Sequence, residues 1–372
     1  MSAQADVLLA RAERLAEQLR GRELDALLVA SPINLRYLSG FTGSHGLALI
    51  SAAAGEGEGG GHRFFTDFRY TTQSAAQVPS TFSREVATGS LLEAAAGALD
   101  GSAGKLGYDD ASTTVADRAR LAAALPRGWE LAECAGVVER LRAVKDEGEI
   151  EAMRAAAQLA DEALQGVLEA GLVGRTEREV AIELELRMRR LGADAPSFSS
   201  IVAAGAHAAL PHAEPREEAI PRDVLVTIDW GAMHGGYCSD CTRTYATGEG
   251  TSMQAHEIYE LVLSAQQAGV AAVKAGPTGR DVDAVARAVI ERAGHGEHFG
   301  HGLGHGVGMD VHEAPRLSRI ESEQRLVAGN VVTVEPGVYL PGQLGVRIED
   351  LLVVREHGHE ILTGLSKDFT VI

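Results

Sequence analysis

The sequence predicts two domains, an α/β domain over residues 1–143 and an α+β domain over residues 144–372. Helix and strand signals alternate as far as about residue 135, which is typical of an α/β domain. A long helical stretch follows, and beyond it paired runs of β-branched and aromatic residues predict antiparallel hairpins. The length of 372 residues is enough for two domains of roughly 100–200 residues each.

The first domain is expected to begin with a helix and to continue with strands. Apolar residues recur at helical spacing over residues 7–19, and Gly21 ends that pattern. The run Gly55–Gly61 predicts a flexible hairpin tip, because neither a Lys-Ser/Thr pair nor a helix start follows it, as a phosphate loop would require. The strands expected around these features are Asp25–Ala30, Gly46–Ile50 and His62–Phe65.

A helical stretch is predicted at the junction of the two domains. An apolar stripe with charges opposite covers residues 137–170 and is broken once, near Gly148. The domain boundary is placed within this stretch, near residue 143. A second helix is predicted at Thr176–Leu191, because its first four residues, TERE, have the pattern of a capping box.

The composition argues against several classes of protein. A net charge of −18 disfavours nucleic-acid binding, which needs clustered Lys and Arg. Three cysteines are too few for a disulfide framework, and the N-terminus has no apolar core of signal-peptide type. No stretch approaches the ~18 uninterrupted apolar residues of a membrane span. We therefore expect a cytoplasmic protein with neither nucleic-acid nor membrane partners.

The first hairpin of the second domain brings two aspartates together. The runs Val224–Gly231 and Tyr237–Tyr245 flank the segment MHGG, which is typical of a hairpin turn. If the turn is centred in the middle of MHGG, Asp229 and Asp240 are equally distant from it. They would then face each other across the strands, with Cβ atoms about 4.5–5.5 Å apart.

A second predicted hairpin brings two glutamates together. The runs Val331–Leu340 and Gly345–Val354 flank a turn centred on Gly342. Glu335 and Glu349 are equally distant from that glycine, so this register places them opposite each other. A bulge in either hairpin would shift its register by a residue.

Four carboxylates gathered in this way indicate a metal site. Like charges directly across strands are destabilising, and buried together they would force high pKa values or unfolding. A pair of divalent cations removes that cost, since hard cations favour oxygen ligands. The alternative is that both pairs lie on the surface by chance.

A glycine-rich histidine segment, Phe299–His312, lies between the two hairpins in the sequence. Five alternating glycines, at about 1 kcal/mol each, disfavour a helix. An extended, close-packed strand is expected instead, with His301, Leu303 and His305 on one side. These histidines favour ligand or acid/base roles over core positions. The histidines in and just before the segment are His295, His298, His301, His305 and His312.

Two further features are weaker. His212 follows Pro211, which fixes the backbone before it, but nothing local requires a function. Cys238 and Cys241 form a CxxC motif of the kind used in redox or zinc chemistry. The chain has no second such pair, and Asp240 lies inside the motif, so redox chemistry is disfavoured.

The order Asp, Asp, His, Glu, Glu resembles the pita-bread metallopeptidases, in particular the Xaa-Pro aminopeptidases and the Xaa-Pro dipeptidases (prolidases). It is carried by the motifs IDWGA, SDCTRT, HGLGHGVG, TVEPG and VRIED. Upstream, NLRYLSGFTGS, FFTDFRY and LGYD resemble the creatinase-like N-terminal domain of that family, and Leu141–Ala160 resembles its interdomain helix. The resemblance implies a creatinase-like α/β domain followed by an α+β pita-bread catalytic domain.

Two related groups fit less well. Methionine aminopeptidases share the catalytic fold but lack this N-terminal domain. Creatinase shares both domains but lacks the metal ligands, so an amidinohydrolase is disfavoured.

The resemblance implies two divalent metal ions. Asp229 would bind one ion, Asp240 and Glu349 would bridge both, and His305 and Glu335 would complete the second site. Oxygen ligands with one histidine suit manganese, with cobalt or zinc as alternatives. Two such ions about 3.5–4 Å apart would yield a hydroxide near neutral pH and polarise the scissile carbonyl.

The resemblance also assigns roles around the metals. Glu335 would take the proton of the hydroxide towards the leaving nitrogen. His212, His301 and His312 would bind substrate and handle protons, with His312 stabilising the oxyanion. Arg347, two residues before Glu349, would orient that carboxylate. Arg316 resembles an arginine near the substrate carboxylate of prolidases and is assigned to substrate binding, with an exposed loop arginine as the alternative.

The implied function is a metal-dependent exopeptidase that cleaves the bond between an N-terminal residue and proline. An Xaa-Pro aminopeptidase is the leading interpretation, with an Xaa-Pro dipeptidase as the alternative. A hydrolase of small non-peptide amides is a further alternative. A binding module that has lost its activity is disfavoured, because all five ligand positions are filled. The partners implied are a proline-containing peptide and a second copy of the chain, since members of the family are often homodimers.

Overall fold

The computed structural model describes residues 3–53, 61–99, 103–320 and 324–372. Contacts divide the chain into two compact units, Met1–Arg142 and Ala143–Ile372. The hairpin tip expected at Gly55–Gly61 lies outside the described residues except for Gly61. In the part of the chain that is described, no helix combines the length and the apolarity needed to cross a membrane.

The first unit is the expected α/β domain, and its first helix and first three strands form within a few residues of the predicted positions. A short 3-10 helix, Phe68–Tyr70, precedes the third α-helix. The helices are α1 (Ala3–Arg20), α2 (Pro32–Ser39), α3 (Thr71–Gln77), α4 (Leu91–Gly97), α5 (Val115–Ala124) and α6 (Val137–Arg142). The strands are β1 (Ala26–Val29), β2 (Gly46–Ser51), β3 (His62–Thr66), β4 (Phe82–Val86), β5 (Gly104–Tyr108) and β6 (Trp129–Glu133).

The strands of the first unit form a mixed sheet within the described residues, in the order β4-β3-β2-β1-β5-β6. Strand β1 is parallel to β5 and antiparallel to β2. All four residues of β1 are buried, as expected for a strand covered on both faces. Residues of α4 pack with β1, β2 and β5 in one apolar cluster.

The second unit begins with two capped helices. Asp146 caps α7 and Thr176 caps α8, each in a complete capping box. The break in the helical stretch therefore lies between Arg142 and Asp146 rather than at Gly148, which belongs to the first turn of α7. The helices of this unit are α7 (Glu147–Glu169), α8 (Glu177–Leu191), α9 (Met253–Ala272) and α10 (Gly279–Arg292), with 3-10 turns at Gly205–Ala209 and Gly296–His298.

The strands of the second unit are short, because both predicted hairpins are interrupted. The first group is β7 (Ala195–Pro196), β8 (Ile201–Ala204), β9 (Leu225–Trp230), β10 (Ala232–His234), β11 (Tyr237–Cys238) and β12 (Cys241–Ala246). The second group is β13 (Gly304–Gly306), β14 (Glu313–Leu317), β15 (Val331–Val334), β16 (Gly337–Leu340), β17 (Leu344–Arg347), β18 (Asp350–Arg355) and β19 (Gly358–Ile361).

Helices pack against these strands in two layers, which confirms the α+β class. Helices α7 and α8 share an apolar cluster with β8, β9 and β12, in which Trp230 is fully buried. Helices α9 and α10 share another with β15, β16, β17 and β18. The two groups of strands are joined by hydrogen bonds such as that from Thr244 Oγ1 to Arg347 O (2.9 Å).

Candidate metal centre

The first hairpin does not have the predicted register. Asp229 lies opposite Thr242, and the turn consists of Gly235 and Gly236, which have φ angles of 60° and 86°. A two-residue turn of this kind needs positive φ at both central positions, and two adjacent glycines supply it at no steric cost. The turn is therefore centred one residue later than expected, and the direct Asp229–Asp240 pair was wrong.

Asp240 nevertheless points to the same region, because a two-residue change of register leaves a side chain on its own face of the sheet. It becomes the diagonal neighbour of Asp229, a distance that long polar side chains still span. The position opposite Asp240 is held by Gly231, where a Cβ would lie 2.0 Å from Ser239 O. That glycine therefore allows the irregular segment before β12 to approach β9.

The second hairpin has the predicted register. Val334 lies opposite Asp350 and Leu340 opposite Leu344, around a turn centred on Gly342. Glu335 and Glu349 occupy matching positions in the gap between these two ladders. Thr242 Oγ1 donates to Glu349 Oε2 at 2.7 Å, and Glu349 N donates to Thr242 O at 3.0 Å, which connects this gap to the first hairpin.

His305 approaches the carboxylates from β13. Its Nδ1 bonds to Gly306 O at 3.1 Å and must therefore carry the proton, since a carbonyl only accepts. The lone pair of Nε2 is then directed at the carboxylates, 3.3 Å from Glu335 Oε1 and 3.6 Å from Asp240 Oδ2. This is the tautomer in which a neutral histidine binds a metal.

The glycines around His305 let other chain segments come close. At Gly304 a Cβ would lie 2.1 Å from Thr333 O, and at Gly306 it would lie 2.3 Å from Ala314 O. Strand β13 is only three residues long, so the extended strand expected through His301, Leu303 and His305 forms only around His305. Leu303 packs in the apolar core between helices and strands.

The five residues form one buried, strongly interacting group. Burial, followed by the charges of the neighbouring carboxylates, raises the pKa of Asp240 and of Glu349 well above the ordinary range. Burial likewise raises the pKa of Asp229. Burial alone would raise the pKa of Glu335 as well, but His305 lowers it to about 2, because without metal this ring takes a second proton at Nε2 and donates to the carboxylate.

This donor set fits divalent metal ions. Ligand atoms of Asp240, His305 and Glu349 all lie within 4.8 Å of one another. Among the described residues, Asp229 Oδ1 is buried and makes no hydrogen bond. A buried, unpaired carboxylate oxygen beside three further carboxylates is stabilised by a hard cation that favours oxygen ligands.

Arg347 contacts a different carboxylate from the one expected. Its Nη2 donates to Asp229 Oδ2 at 2.7 Å, and its Nε donates to Thr242 Oγ1 at 3.1 Å. Its Nη1 donates to Tyr339 Oη (2.9 Å) and to Pro211 O (3.1 Å). The planar guanidinium therefore orients Asp229 and, through Pro211, the chain before His212.

Tyr339 is a site residue that sequence reasoning missed. Its hydroxyl accepts from Arg347 and lies 2.9 Å from His301 Nε2. Because His301 Nδ1 donates to Gly302 O at 2.8 Å, the neutral ring accepts the tyrosine proton at Nε2. Both ring nitrogens of His301 are therefore occupied within the protein. Tyr339 follows Glu335 by four residues in a broken strand, a relation that no local pattern indicates.

The three remaining predicted site residues are solvent-accessible. His212 is exposed on the segment that follows the 3-10 turn Gly205–Ala209. His312 is exposed, and its ring centroid lies 4.4 Å from that of His305. Arg316 is exposed and lies directly opposite His305 in the β13–β14 register, so the two side chains share a face.

Glu177 is a second residue that sequence reasoning missed. Its carboxylate is buried and accepts hydrogen bonds from Ala204 N (2.9 Å) and Arg216 N (3.0 Å), with His207 Nδ1 at 2.9 Å. These partners bracket the segment that carries His212. The sequence indicated only the helix start, because Glu177 is the first residue after the Thr176 cap.

Each cysteine of the CxxC motif donates its thiol to a backbone carbonyl, Cys238 Sγ to Met309 O at 3.9 Å and Cys241 Sγ to Glu349 O at 3.5 Å. Cys238 and Cys241 are both buried, and burial raises the pKa of the Cys241 thiol well above its ordinary value. A buried thiol with a raised pKa is a poor nucleophile, so this motif has the properties of a packing element.

Comparison with known families matches both units. The model of metallopeptidase family M24 matches residues 151–356, and the model of the creatinase/prolidase N-terminal domain matches residues 11–144. An uncharacterised peptidase of Bacillus subtilis, YqhT, is 43% identical over 350 residues, which cover 94% of this chain and 96% of that protein. The Xaa-Pro dipeptidase of Pyrococcus furiosus is 43% identical over 232 residues, 62% of this chain and 66% of that protein.

Solved structures extend the similarity to the whole fold. The Xaa-Pro dipeptidase from Bacillus anthracis superposes with a TM-score of 0.91 at 38% identity, covering 98% of this chain and 100% of that one. The X-Pro aminopeptidase from Thermotoga maritima superposes with a TM-score of 0.86 at 35% identity, covering 96% of this chain and 99% of that one. The resemblance inferred from the motifs is confirmed: the chain is an enzyme that belongs to metallopeptidase family M24, with a creatinase/prolidase-type N-terminal domain.

Proposed function

We propose that this metallopeptidase hydrolyses the bond between an N-terminal residue and proline, and that Xaa-Pro dipeptides are its preferred substrates. The observation that carries the dipeptide preference is the position of Arg316. It lies directly opposite His305 with an exposed guanidinium, one strand away from the carboxylate cluster. An arginine cation there suits the C-terminal carboxylate of a substrate that ends at proline.

In this proposal, two divalent metal ions would be held by Asp229, Asp240, His305, Glu335 and Glu349. Manganese is the ion we expect, with cobalt or zinc as alternatives. When bound, the two ions supply Lewis acidity to the scissile carbonyl and to the attacking water. The family resemblance further implies a homodimer, which light scattering of the purified enzyme would test.

Three side chains around the candidate metal site provide proton transfer, oxyanion stabilisation and contact with the peptide. Glu335, whose Oε1 accepts a hydrogen bond from Thr333 Oγ1 and lies 3.3 Å from His305 Nε2, takes the proton of the attacking water and delivers it to the leaving proline nitrogen. His312, exposed beside His305, donates a hydrogen bond to the carbonyl oxygen as negative charge develops there. His212, held in place through Pro211, contacts the peptide.

His301 and Arg347 have supporting roles in this proposal. Arg347 holds Asp229, and its contact with Tyr339 extends to His301. Since both nitrogens of the His301 ring are engaged, this histidine holds Tyr339 in place rather than contacting substrate through a ring nitrogen. It thereby differs in role from His212 and His312.

A substrate panel with manganese tests the activity. Xaa-Pro dipeptides, Xaa-Pro-Yaa tripeptides, Xaa-Ala dipeptides and an N-acyl amino acid are compared by kcat/KM. We expect the Xaa-Pro dipeptides to be cleaved best. Faster cleavage of the tripeptides would instead identify an Xaa-Pro aminopeptidase, and faster cleavage of the N-acyl amino acid would overturn the peptide-bond assignment.

Arg316→Ala tests the basis of the preference. We expect kcat/KM for Xaa-Pro to fall roughly 10–100-fold, since a charge-assisted hydrogen bond contributes about 1.5–3 kcal/mol. The loss for Xaa-Pro-Yaa should be clearly smaller. The matched control is Arg319→Ala, which removes an exposed arginine three residues further on. It should leave kcat/KM unchanged for both the dipeptide and the tripeptide. Equal losses for both peptide lengths in Arg316→Ala would remove the dipeptide argument.

A further inference from the structure

A buried ion pair lies beside the candidate site but includes none of its ligands. Lys145 Nζ and Glu313 Oε2 are 3.2 Å apart, and the exposed fractions of their side chains are 1% and 7%. Lys145 is in the turn before α7, and Glu313 is the first residue of β14. Glu313 follows His312 directly in the chain, so its position limits where that histidine can lie.

Glu313 also closes the segment that carries His312. Its Oε1 accepts a hydrogen bond from Asp310 N at 3.0 Å, and Asp310 O accepts one from Gly308 N at 3.0 Å. The carboxylate lies directly over Gly308, where a Cβ would be 2.6 Å from Oε2. Residues 308–313 therefore form a short closed loop, and the Glu313 carboxylate is its fastening point.

Lys145 is itself fixed in position by the backbone. Lys145 N donates to Gly329 O at 2.8 Å, and a Cβ on Gly329 would lie 2.9 Å from Lys145 O. Asp146, the next residue, caps α7. The ammonium group thus extends from a rigid turn, so the loop of residues 308–313 is fastened to the segment that immediately precedes α7.

The burial of this pair is not explained by stability alone. Two apolar side chains of similar volume commonly replace a buried ion pair with little change in stability, whereas removing one partner leaves a costly unpaired charge. What an apolar pair would lack is an acceptor for Asp310 N–H. The specific contribution of Glu313 is therefore to hold the shape of the loop of residues 308–313, which carries His312.

We propose that Glu313, anchored by Lys145, is a positioning residue for peptide hydrolysis that holds His312 against His305. This inference rests on the proposed function, in which His312 stabilises the developing oxyanion. The side chain of His312 is exposed, and its ring contact with His305 has a centroid distance of 4.4 Å. Without the fastening of its loop, the ring would spend less time at the carbonyl oxygen.

Paired variants separate positioning from stability. Lys145→Met/Glu313→Leu removes both charges and the acceptor while keeping the volume. Lys145→Met/Glu313→Gln removes the charges but restores an acceptor for Asp310 N–H. We expect both variants to unfold at similar temperatures. The leucine variant should lose at least 10-fold in kcat with KM changed less than 3-fold, and the glutamine variant should recover to within about 3-fold of wild type.

A double-mutant cycle identifies the residue through which Glu313 acts. In a His312→Ala background, the Lys145→Met/Glu313→Leu pair should cause no further loss of kcat, because the positioned group is already absent. The matched control is Arg178→Met/Glu217→Leu, which removes an exposed ion pair and should leave kcat unchanged. Multiplicative losses in the His312→Ala background, or unchanged kcat in the leucine variant, would overturn the proposal.

A spectroscopic readout keeps the test independent of the substrate assignment. In a ¹H–¹³C correlation spectrum of histidine-labelled enzyme, the His312 ring signal is assigned from its loss in His312→Ala. It should shift or broaden in the leucine variant and return in the glutamine variant. If wild type cleaves no Xaa-Pro peptide, the proposed function fails while this signal still decides the positioning role. An unchanged His312 signal in the leucine variant would overturn that role.

Discussion

Arg347 and Asp229 form a buried, hydrogen-bonded ion pair of 2.7 Å between Nη2 and Oδ2, and the same guanidinium donates to three further oxygens. Burial lowers the pKa of an arginine, but here the interactions with the Tyr339 hydroxyl and with the carboxylates of Asp229 and Glu335 keep the pKa of Arg347 well above its ordinary value. The cation is therefore permanent, and it balances part of the charge of four carboxylates. One residue thus links a candidate metal ligand to the segment before His212.

Arg347→Lys is expected to weaken metal binding without unfolding the protein. A lysine ammonium group is a point charge and cannot donate in a planar fork to Asp229 and Tyr339 at once. Loss of a group that orients a metal ligand typically lowers metal affinity roughly 10–100-fold. Titration of chelator-treated protein with manganese measures this change. Arg355→Lys, on a partly exposed ion pair at the end of β18, is the control, and equal affinities in the two variants would contradict the expected role.

Chelation of the metals should lower the unfolding temperature of wild type, and Glu349→Gln should reduce that effect. A ligand present at 100 times its Kd stabilises the folded state by about 2.7 kcal/mol. Without metal, the four buried carboxylates repel one another, so neutralising Glu349 should make the metal-free variant more stable than metal-free wild type. Calorimetry with and without chelator gives the unfolding temperatures of wild type and Glu349→Gln in both metal states. The control is Glu257→Gln, on the exposed side of α9. If metal-free Glu349→Gln is less stable than metal-free wild type, the repulsion among the carboxylates is small.

The two hairpins show how far a register can be inferred from sequence. The turn centred on Gly342 has an odd number of residues and one glycine of positive φ, so its centre was unambiguous and the Glu335–Glu349 relation was correct. In the first turn, the segment MHGG could be centred either between His234 and Gly235, as predicted, or between Gly235 and Gly236, as observed. Placing the centre one residue too early shifted the predicted partner of Asp229 from Thr242 to Asp240, two residues away. Because side chains alternate between faces with a period of two, Asp240 still lies on the predicted face of the sheet.

The residues that the sequence did not predict are connected to the site through tertiary contacts. Tyr339 and Glu177 act on segments distant in sequence, His301 and residues 204–216, and neither has a spacing pattern of its own. The elements that were predicted, such as α8 with its Thr176 cap, depend on neighbours within four residues. Local chemistry therefore fixes helices, turns and strand faces, while the hydrogen-bonded partners of each ligand depend on how those elements pack.

Gly304→Ala is expected to displace His305, whereas Gly300→Ala is expected to be tolerated. At Gly304 the new methyl group would lie 2.1 Å from Thr333 O, so β13 and β15 would have to separate. Overpacking of this kind costs roughly 1–3 kcal/mol. At Gly300 nothing lies within 4 Å of the added carbon, and a change within about 0.5 kcal/mol is expected. Denaturant unfolding and manganese titration of both variants check this, and equal behaviour would contradict the close approach at Gly304.

Asp161→Asn should stabilise the protein more at pH 8 than at pH 5, relative to wild type. Burial raises the pKa of Asp161 from 3.8 to about 6, while Gly364 N–H and Arg243 oppose this and Asp350 adds to it. The folded protein thus disfavours the charged form, so the penalty is fully present above pH 6 and is relieved as the pH falls towards 3.8. Between pH 8 and pH 5 the wild-type penalty should shrink by about 1–1.5 kcal/mol, whereas an asparagine is neutral throughout.

Urea unfolding of wild type and Asp161→Asn at both pH values, in one metal buffer, measures this difference, because contributions shared by the two proteins cancel. Asparagine retains an oxygen for Gly364 N–H, which Asp161 Oδ2 accepts at 2.6 Å, so the C-terminal segment stays attached to α7. The variant replaces only Oδ1, which is buried and has no hydrogen-bond partner among the described residues. A stability difference that is the same at pH 5 and pH 8 would mean that Asp161 is solvated in solution, because burial is the main cause of its raised pKa.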